Sequence, residues 1–553
     1  MKKMNESNVL IGKGKKPTKT QILKQNLKLK VKVNKTIISK KQKRNLYIAL
    51  ALGILIFLFF FILFINKIKH LKNKKFSKEK NLNSLSTLST KETSKNKIKE
   101  IYESLETYET RYTNSLCNEL DPINIFKNRL NSTPEIICSN SNNDSLHICY
   151  KDNNPIFVAQ NGASCEFKNV IIDPSKWSGD GNTYKGPMDP SNRGCPLLSK
   201  GFFNIKCDNG LMTKYSGYDF IYNNYFNGWD YKYDLYEKEK DSLEELSPGK
   251  TVFFISRNQD SPNLYHGGSE FVNALSIMYL LKLNPENIQI VFLESILIND
   301  DPFYDLYKNL IGRGGEPIHI RNLTKKYKVS NGVHIPIDWD SPCFITVVPP
   351  NCVNNPTKTY YLYNKLIDEF MRVDNYKDAF DKNNSEIFYY PELIINTGKK
   401  DKKIFNKIIT FQWRRVWPKG RSGQQRILGN GPELADKLST LLPKNFLLRL
   451  IDTASLPIEQ QITIMRNTDY FVGIHGAGLS LIIYAKPSCI YHEVLHSPNM
   501  NGLELFAATS GHRVYKDIID AEVKDVDGNE NIFFNVEHFA KSVISHLKES
   551  NLM

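Results

Sequence analysis

Three absences divide this 553-residue chain before any motif is read. Cysteine is missing from the first 116 residues, acidic side chains are nearly missing from the first 80, and charge of either sign is missing from Leu46 to Ile65. The shortage of acid makes the net charge of +16 a local matter. Residues 1–80 carry 22 Lys and Arg against 2 acidic residues, which leaves 52 basic and 56 acidic residues for 81–553. The globular part is therefore slightly acidic and lacks the basic footprint of a nucleic-acid binder, so no nucleic-acid partner is expected. No internal repeat is present either, which removes solenoid architectures.

The uncharged run Leu46 to Ile65, LYIALALGILIFLFFFILFI, is long enough at 1.5 Å per residue to cross a bilayer core of roughly 30 Å. It lies behind a Lys-rich arm, too far from the N-terminus for an ordinary cleaved signal peptide. Lysines on both sides leave the positive-inside count close to a tie. Cysteine settles the orientation: all nine lie after the run, and six fall within 117–207. That clustering reads as disulfides in an oxidising compartment with one thiol left over. Glycosylation triplets at Asn131, Asn143, Asn322 and Asn383 point the same way. The expected organisation is a cytosolic basic tail (1–45), a transmembrane helix (46–65) and a stem (66–115). A Cys-rich, loop-rich luminal section (116–248) follows, in a type II protein of the Golgi or endoplasmic reticulum membrane.

From Gly249 onward apolar runs and amphipathic stretches alternate, which predicts parallel sheets with helices on both faces. Expected strands are Thr251 to Ser256, Ile288 to Leu293, Lys407 to Trp413, Phe446 to Ile451, Tyr470 to Ile474 and Cys489 to Val494. Helices are expected over Glu270 to Leu283, Pro302 to Leu310, Pro432 to Leu442 and Pro457 to Arg466. The fold class is α/β, with two Rossmann-like domains (249–390 and 391–553) facing a cleft.

Three clusters carry chemistry. The first is His475-Gly476-Ala477-Gly478, between the apolar runs Tyr470–Ile474 and Leu479–Tyr484. Glycines there let backbone approach a ligand closely, and a helix start attracts phosphate; any α/β domain can also contain such a turn. The strand beyond it is expected to end on His492 and Glu493, with Glu493 placed for ribose hydroxyls. The second cluster is Trp413-Arg414-Arg415 with Gly420-Arg421-Ser422-Gly423 and Arg426, where guanidinium groups suit bidentate contact with a diphosphate. Solvated basic loops share this composition. The third is His266 with Glu270, where a helix starting near Gly268 would put Glu270 in its first turn. Either side chain could take a proton from a hydroxyl nucleophile, or Glu270 could simply complement the helix dipole.

Three ordered segments, NLYHGGSEFVN, WRRVWPKGRSGQQRILGN and NTDYFVGIHGAGLS with the later HEV of His492 to Val494, together resemble the motifs of glycosyltransferase family 61 over roughly residues 250–515. The resemblance implies a GT-B-like fold, a UDP-sugar donor, a glycan or protein acceptor, and inversion at the anomeric carbon. Arg415, Arg421, Arg426 and the loop His475, Gly476, Ala477 and Gly478 would hold the donor diphosphate. Glu493 would sit near the nucleoside, and Glu270, with His266 beside it, would be the base. Xylose and N-acetylglucosamine are the sugars most in keeping with it. Asp300-Asp301 lies outside the three segments, so no metal and no cofactor are assigned. A catalytically silent luminal glycan-binding module and a membrane scaffold worked by its basic tail are the alternatives.

Overall fold

Apolar runs bounded by turn residues become buried strands in both halves of the chain. The computed structural model describes residues 98–108, 115–131, 135–139, 145–151, 163–177, 198–208, 225, 227–257, 263–293, 303–335, 352–373, 394–395, 407–415, 426–453, 456–498 and 503–553. The apolar run 46–65, Arg421, Asn143, Asn383, Cys195 and Cys343 lie outside them. Among the described residues no helix is long and apolar enough to cross a membrane.

The first sheet contains β1 (Glu135–Ser139), β2 (Leu146–Lys151), β3 (Ala163–Ile172), β4 (Phe203–Asn204), β5 (Trp229–Asp230), β6 (Thr251–Ile255), β7 (Ile288–Phe292), β8 (Ile318–His319) and β9 (Tyr327–Ile335). Its main path runs β1-β2-β3-β9-β6-β7-β8, antiparallel through the β3–β9 pair and parallel from β9 to β8. Strand β3 pairs with β9 from Cys165 to Ile172, so the Cys-rich section and the strands after Gly249 share one sheet across the boundary expected at 248/249. The alternation of β3, with Phe167 and Val170 buried, was hidden in sequence by flanking Asn, Gly and Cys.

The second sheet runs β10 (Ile394–Ile395), β13 (Phe446–Ile451), β11 (Lys407–Gln412), β14 (Tyr470–Ile474), β15 (Ile490–Leu495) and β16 (Arg513–Ile518) in spatial order. All its neighbours are parallel except β10 and β13. A small third sheet joins β12 (Arg426–Leu428), β18 (Asn529–Phe534) and β17 (Ala521–Val526). The main helices are α1 (Pro122–Asn131), α2 (Leu264–Leu280), α3 (Lys358–Val373), α4 (Gly431–Leu441), α5 (Ile458–Arg466), α6 (Glu504–Thr509) and α7 (Val536–Glu549).

One apolar core joins the two large sheets. It packs Phe253, Ile290 and Val333 of the first with Phe471 and Tyr491 of the second, through Phe271 and Leu275 of α2, Tyr363 and Leu366 of α3, and Leu479 to Ala485. The two halves are thus fused along this core. Separate cores cover their outer faces. Among the described residues three disulfides, Cys117–Cys352, Cys138–Cys207 and Cys149–Cys165, hold the front section, and Cys489 is a buried free thiol.

Several local expectations shift. Helix α2 begins at Leu264, because the Asn263 side chain caps it by accepting from the Tyr265 N–H at 3.0 Å. His266 is therefore in the first turn and Glu270 in the second, despite Gly267 and Gly268. The stretch expected as a helix from Pro302 is a short α turn, Tyr304–Leu306, continuing as the π-helix Tyr307–Ile311. The segment after the Gly-rich turn is a 3₁₀ helix, Ala477–Tyr484, rather than an α-helix.

Candidate active site

In the second sheet the chain runs from β11 to β13 on one side, then to β14 on the other, so the strand order reverses between β11 and β14. Ligands of open α/β sheets bind beyond the carboxyl ends of strands at such a reversal. Four segments meet there: Gln412 to Arg415 after β11, Asp452 and Thr453 after β13, His475 to Gly478 after β14, and His496 after β15.

Arg414 and Gln412 explain the glycines of the loop. Arg414 Nη1 donates to the His475 carbonyl at 2.7 Å, and a Cβ on Gly476 would stand 1.4 Å from that nitrogen. A Cβ on Gly478 would stand 1.6 Å from Gln412 Nε2, which itself donates to Thr453 Oγ1 at 3.0 Å. The close approach the glycines permit is thus to two side chains of the neighbouring strand. The sequence places Arg414 in the basic cluster but not against the glycine loop, and it does not single out Gln412.

His475 is fixed from the other side. Its Nδ1 lies 2.5 Å from Glu493 Oε1, and because a carboxylate only accepts, Nδ1 is the donor. Glu493 Oε2 accepts from the Leu503 N–H at 2.9 Å. Glu493 is wholly buried in the middle of β15, opposite Gly473, and both of its oxygens are engaged. Glu493 is thus mid-strand rather than at the expected strand end, and there it orients His475. His492 is mid-strand too, on the opposite face.

The two ends of the Arg loop lie side by side. The Leu428 N–H donates to the Arg414 carbonyl at 2.9 Å, and Trp413 Nε1 donates to the Leu428 carbonyl at 3.2 Å. Arg415 is exposed, stacks over Trp413 at 5.0 Å, and lies 3.8 Å from Asp452. Arg426 is near His496, whose pKa falls mainly through burial; Glu530 raises it, while Arg426 and His475 lower it. The structure thus brings Arg415, Arg426 and His475 to one edge and adds His496, which the sequence did not single out.

The helix that carries His266 and Glu270, α2, packs against the segment that follows Leu503. Tyr265 packs against Phe506 with ring centroids 5.0 Å apart, and Phe506 follows the Leu503 amide held by Glu493. At i and i+4 the two residues share one face of α2. His266 is partly exposed, whereas Glu270 is fully buried.

Residues 321–491 match the family model described as Glycosyltransferase 61. This segment holds Arg415, Arg426 and His475 to Gly478, while Glu493, His266 and Glu270 fall outside it. No curated protein matches the chain. The match defines the chain as a glycosyltransferase, an enzyme with a sugar donor and a glycan acceptor. The match supports membership of glycosyltransferase family 61.

Proposed function

We propose that this enzyme is an inverting, GT-B-like transferase that moves xylose or N-acetylglucosamine from a UDP-sugar to a glycan or protein acceptor in the secretory pathway. It would be anchored through residues 46–65 with its body luminal, in the Golgi or endoplasmic reticulum. The observation that carries the reading is the braced loop at the strand-order reversal: His475, held by Glu493 at 2.5 Å, beside the guanidinium group of Arg414.

The acceptor hydroxyl oxygen attacks the anomeric carbon, and the bond from that carbon to the β-phosphate oxygen breaks. The electron pair leaves with UDP, so negative charge grows on the diphosphate. Groups already oriented toward that charge lower the barrier without reorganising. In this proposal His475 Nε2, the amides of Gly476 to Gly478, and the Arg415, Arg421 and Arg426 guanidinium groups supply them, so no metal is required. The hydroxyl proton passes to a base on the opposite face of the sugar. His266 is our choice for that base, because a hydroxyl can approach a partly exposed imidazole and cannot approach a carboxylate without exposed surface. Glu270 would support it from one turn behind.

Incubation of the purified body with a panel of nucleotide sugars tests the reading. UDP release with one donor, and protection by UDP against thermal unfolding, are expected. Arg415→Ala and Arg426→Ala should each weaken UDP binding by about 1.5–3 kcal/mol, the scale of a charge-assisted hydrogen bond. UDP binding without turnover on any sugar would favour a catalytically silent glycan-binding protein, and the absence of UDP binding would remove the diphosphate site.

A further inference from the structure

We propose that His492, Asp517 and His546 form a binding site for a divalent cation of the zinc class, on the face of the second sheet opposite Glu493. The three residues come from β15, β16 and α7, which are brought together only by the fold. In the parallel register His492 faces Tyr515, so Asp517, two residues further, is on the same side of the sheet. One ligand atom from each of the three lies within 4.8 Å of the other two. Asp517 Oδ2 is 3.2 Å from His492 Nε2 and 2.9 Å from His546 Nε2. Ligand atoms around a four-coordinate zinc ion stand about 3.3 Å apart, given bonds near 2.0–2.1 Å, so only small movements are needed to admit one.

Two further observations point to a ligand. His492 has no exposed surface, and its Nε2, though 3.2 Å from the carboxylate, makes no hydrogen bond among the described residues. A buried ring nitrogen that lacks a hydrogen bond is costly unless something else occupies its lone pair. The outer nitrogens of both rings have partners as well. His492 Nδ1 lies 2.8 Å from the Tyr470 hydroxyl, and His546 Nδ1 lies 3.4 Å from Glu549 Oε2. His546 Nε2 hydrogen-bonds Asp517 Oδ2 at 2.9 Å and, because a carboxylate only accepts, holds a proton there in the metal-free protein. A cation would displace that proton; with Nδ1–H then donated outward, each Nε2 would present a lone pair to the shared point, the arrangement found around metal-bound imidazoles. Ser542 donates to Asp517 Oδ2 and further fixes the carboxylate.

Two imidazoles with one carboxylate suit zinc better than magnesium or calcium, which prefer all-oxygen sets. The fourth position is left to water or to the Ser542 hydroxyl. The other close group of such side chains, His147, Cys149 and Cys165, is unsuited because its sulfurs form a disulfide. An ion at His492 would fasten the C-terminal helix α7 to β15 and β16, behind the strand that carries Glu493. Its role is structural and independent of the transfer chemistry proposed above.

The test uses the detergent-solubilised full chain, stripped of metal and dialysed against Zn2+ or Co2+. One equivalent of Zn2+ should remain bound and raise Tm, and Co2+ should give the visible absorption of a four-coordinate nitrogen and oxygen site without thiolate charge-transfer bands. His546→Ala should lose the bound ion and the metal-dependent rise in Tm. Tyr470→Phe, which removes no ligand, should weaken binding by about 10–100-fold. Mg2+ should not compete. If His546→Ala fails to fold, Asp517→Asn and the wild-type Co2+ spectrum decide. The proposal is overturned by the absence of stoichiometric Zn2+ in the wild type, or by a folded ligand variant that retains it with unchanged affinity.

Discussion

Glu493 holds His475 through a 2.5 Å contact to Nδ1, and its second oxygen holds the amide of Leu503 at 2.9 Å. A single buried carboxylate therefore sets both the His475 ring of the candidate diphosphate site and the start of the segment leading into α6. Glu493→Gln can still accept from one of these donors, but its amide group turns a donor toward the other. An unsatisfied buried group costs about 1–3 kcal/mol, so UDP affinity should fall roughly 5–150-fold, with the far-UV spectrum retained. Wild-type UDP affinity in the variant would separate the pair from ligand binding.

Arg414 and Gly476 should behave as one unit. Gly476→Ala places a methyl group where Nη1 of Arg414 lies, so the guanidinium group must leave the His475 carbonyl. Arg414→Ala removes the obstacle. Gly476→Ala should therefore destabilise the wild type by more than about 1 kcal/mol, and the Arg414→Ala background by clearly less. Urea unfolding of the four proteins reads the difference, and additive effects would contradict the packing.

Much of the second sheet was legible in the sequence because its strands are short apolar runs buried on both faces. Phe446–Ile451 and Tyr470–Ile474 have the bounds their hydropathy suggests. The loop glycines were legible as a site of close approach, but not for what approaches. Arg414 and Gln412 reach them across strands, and a pairing between residues about 60 positions apart leaves no local trace. The start of α2 was misplaced because two glycines outweighed an Asn cap. Glu493 was placed at a strand end because its polarity resembles a boundary, although buried partners allow charge inside a strand. The Cys-rich section gave its disulfide chemistry but not its sheet, since β3 is paired by β9 more than 150 residues later.

Asp121 joins the front of the molecule to α3. Buried, it accepts from the amides of Ile123 at 3.1 Å, Lys358 at 2.7 Å and Thr359 at 3.2 Å, near the Cys117–Cys352 disulfide. Burial raises its pKa, although these hydrogen bonds oppose the shift. Asp121→Ala should leave several donors without an acceptor and cost about 2–4 kcal/mol. A midpoint of urea unfolding within error of the wild type would show that the cap is dispensable.

Buried neutral histidines should make stability depend on pH. Burial depresses His334 to about 3 and His512 to about 4, and His147 lies well below its ordinary value, chiefly for the same reason. In the unfolded chain each titrates near 6.5. Below that pH the unfolded state binds protons that the folded state refuses. The contribution of each is complete above pH 6.5 and is lost progressively as pH falls toward the folded value. His334→Phe, which keeps a ring beside Tyr225, should reduce the slope of unfolding free energy between pH 6 and 5 by about 1.4 kcal/mol per unit. An unchanged slope would mean that His334 is protonated in the fold.

The assignment of the base divides two residues one helical turn apart. The sequence favours Glu270, as the carboxylate of its motif, while the fold buries it completely and leaves His266 partly exposed. A base must come within hydrogen-bond reach of the acceptor hydroxyl. His266→Ala should therefore lower turnover by about 10²–10⁴ with UDP affinity nearly unchanged. Glu270→Gln keeps size and hydrogen bonding but removes proton affinity. If Glu270 only supports the imidazole, that variant should lose less activity and displace the acidic limb of the pH–rate profile, which follows the base. Loss of that limb in Glu270→Gln, with near-normal turnover in His266→Ala, would return the role to the carboxylate and require the first turns of α2 to open during catalysis.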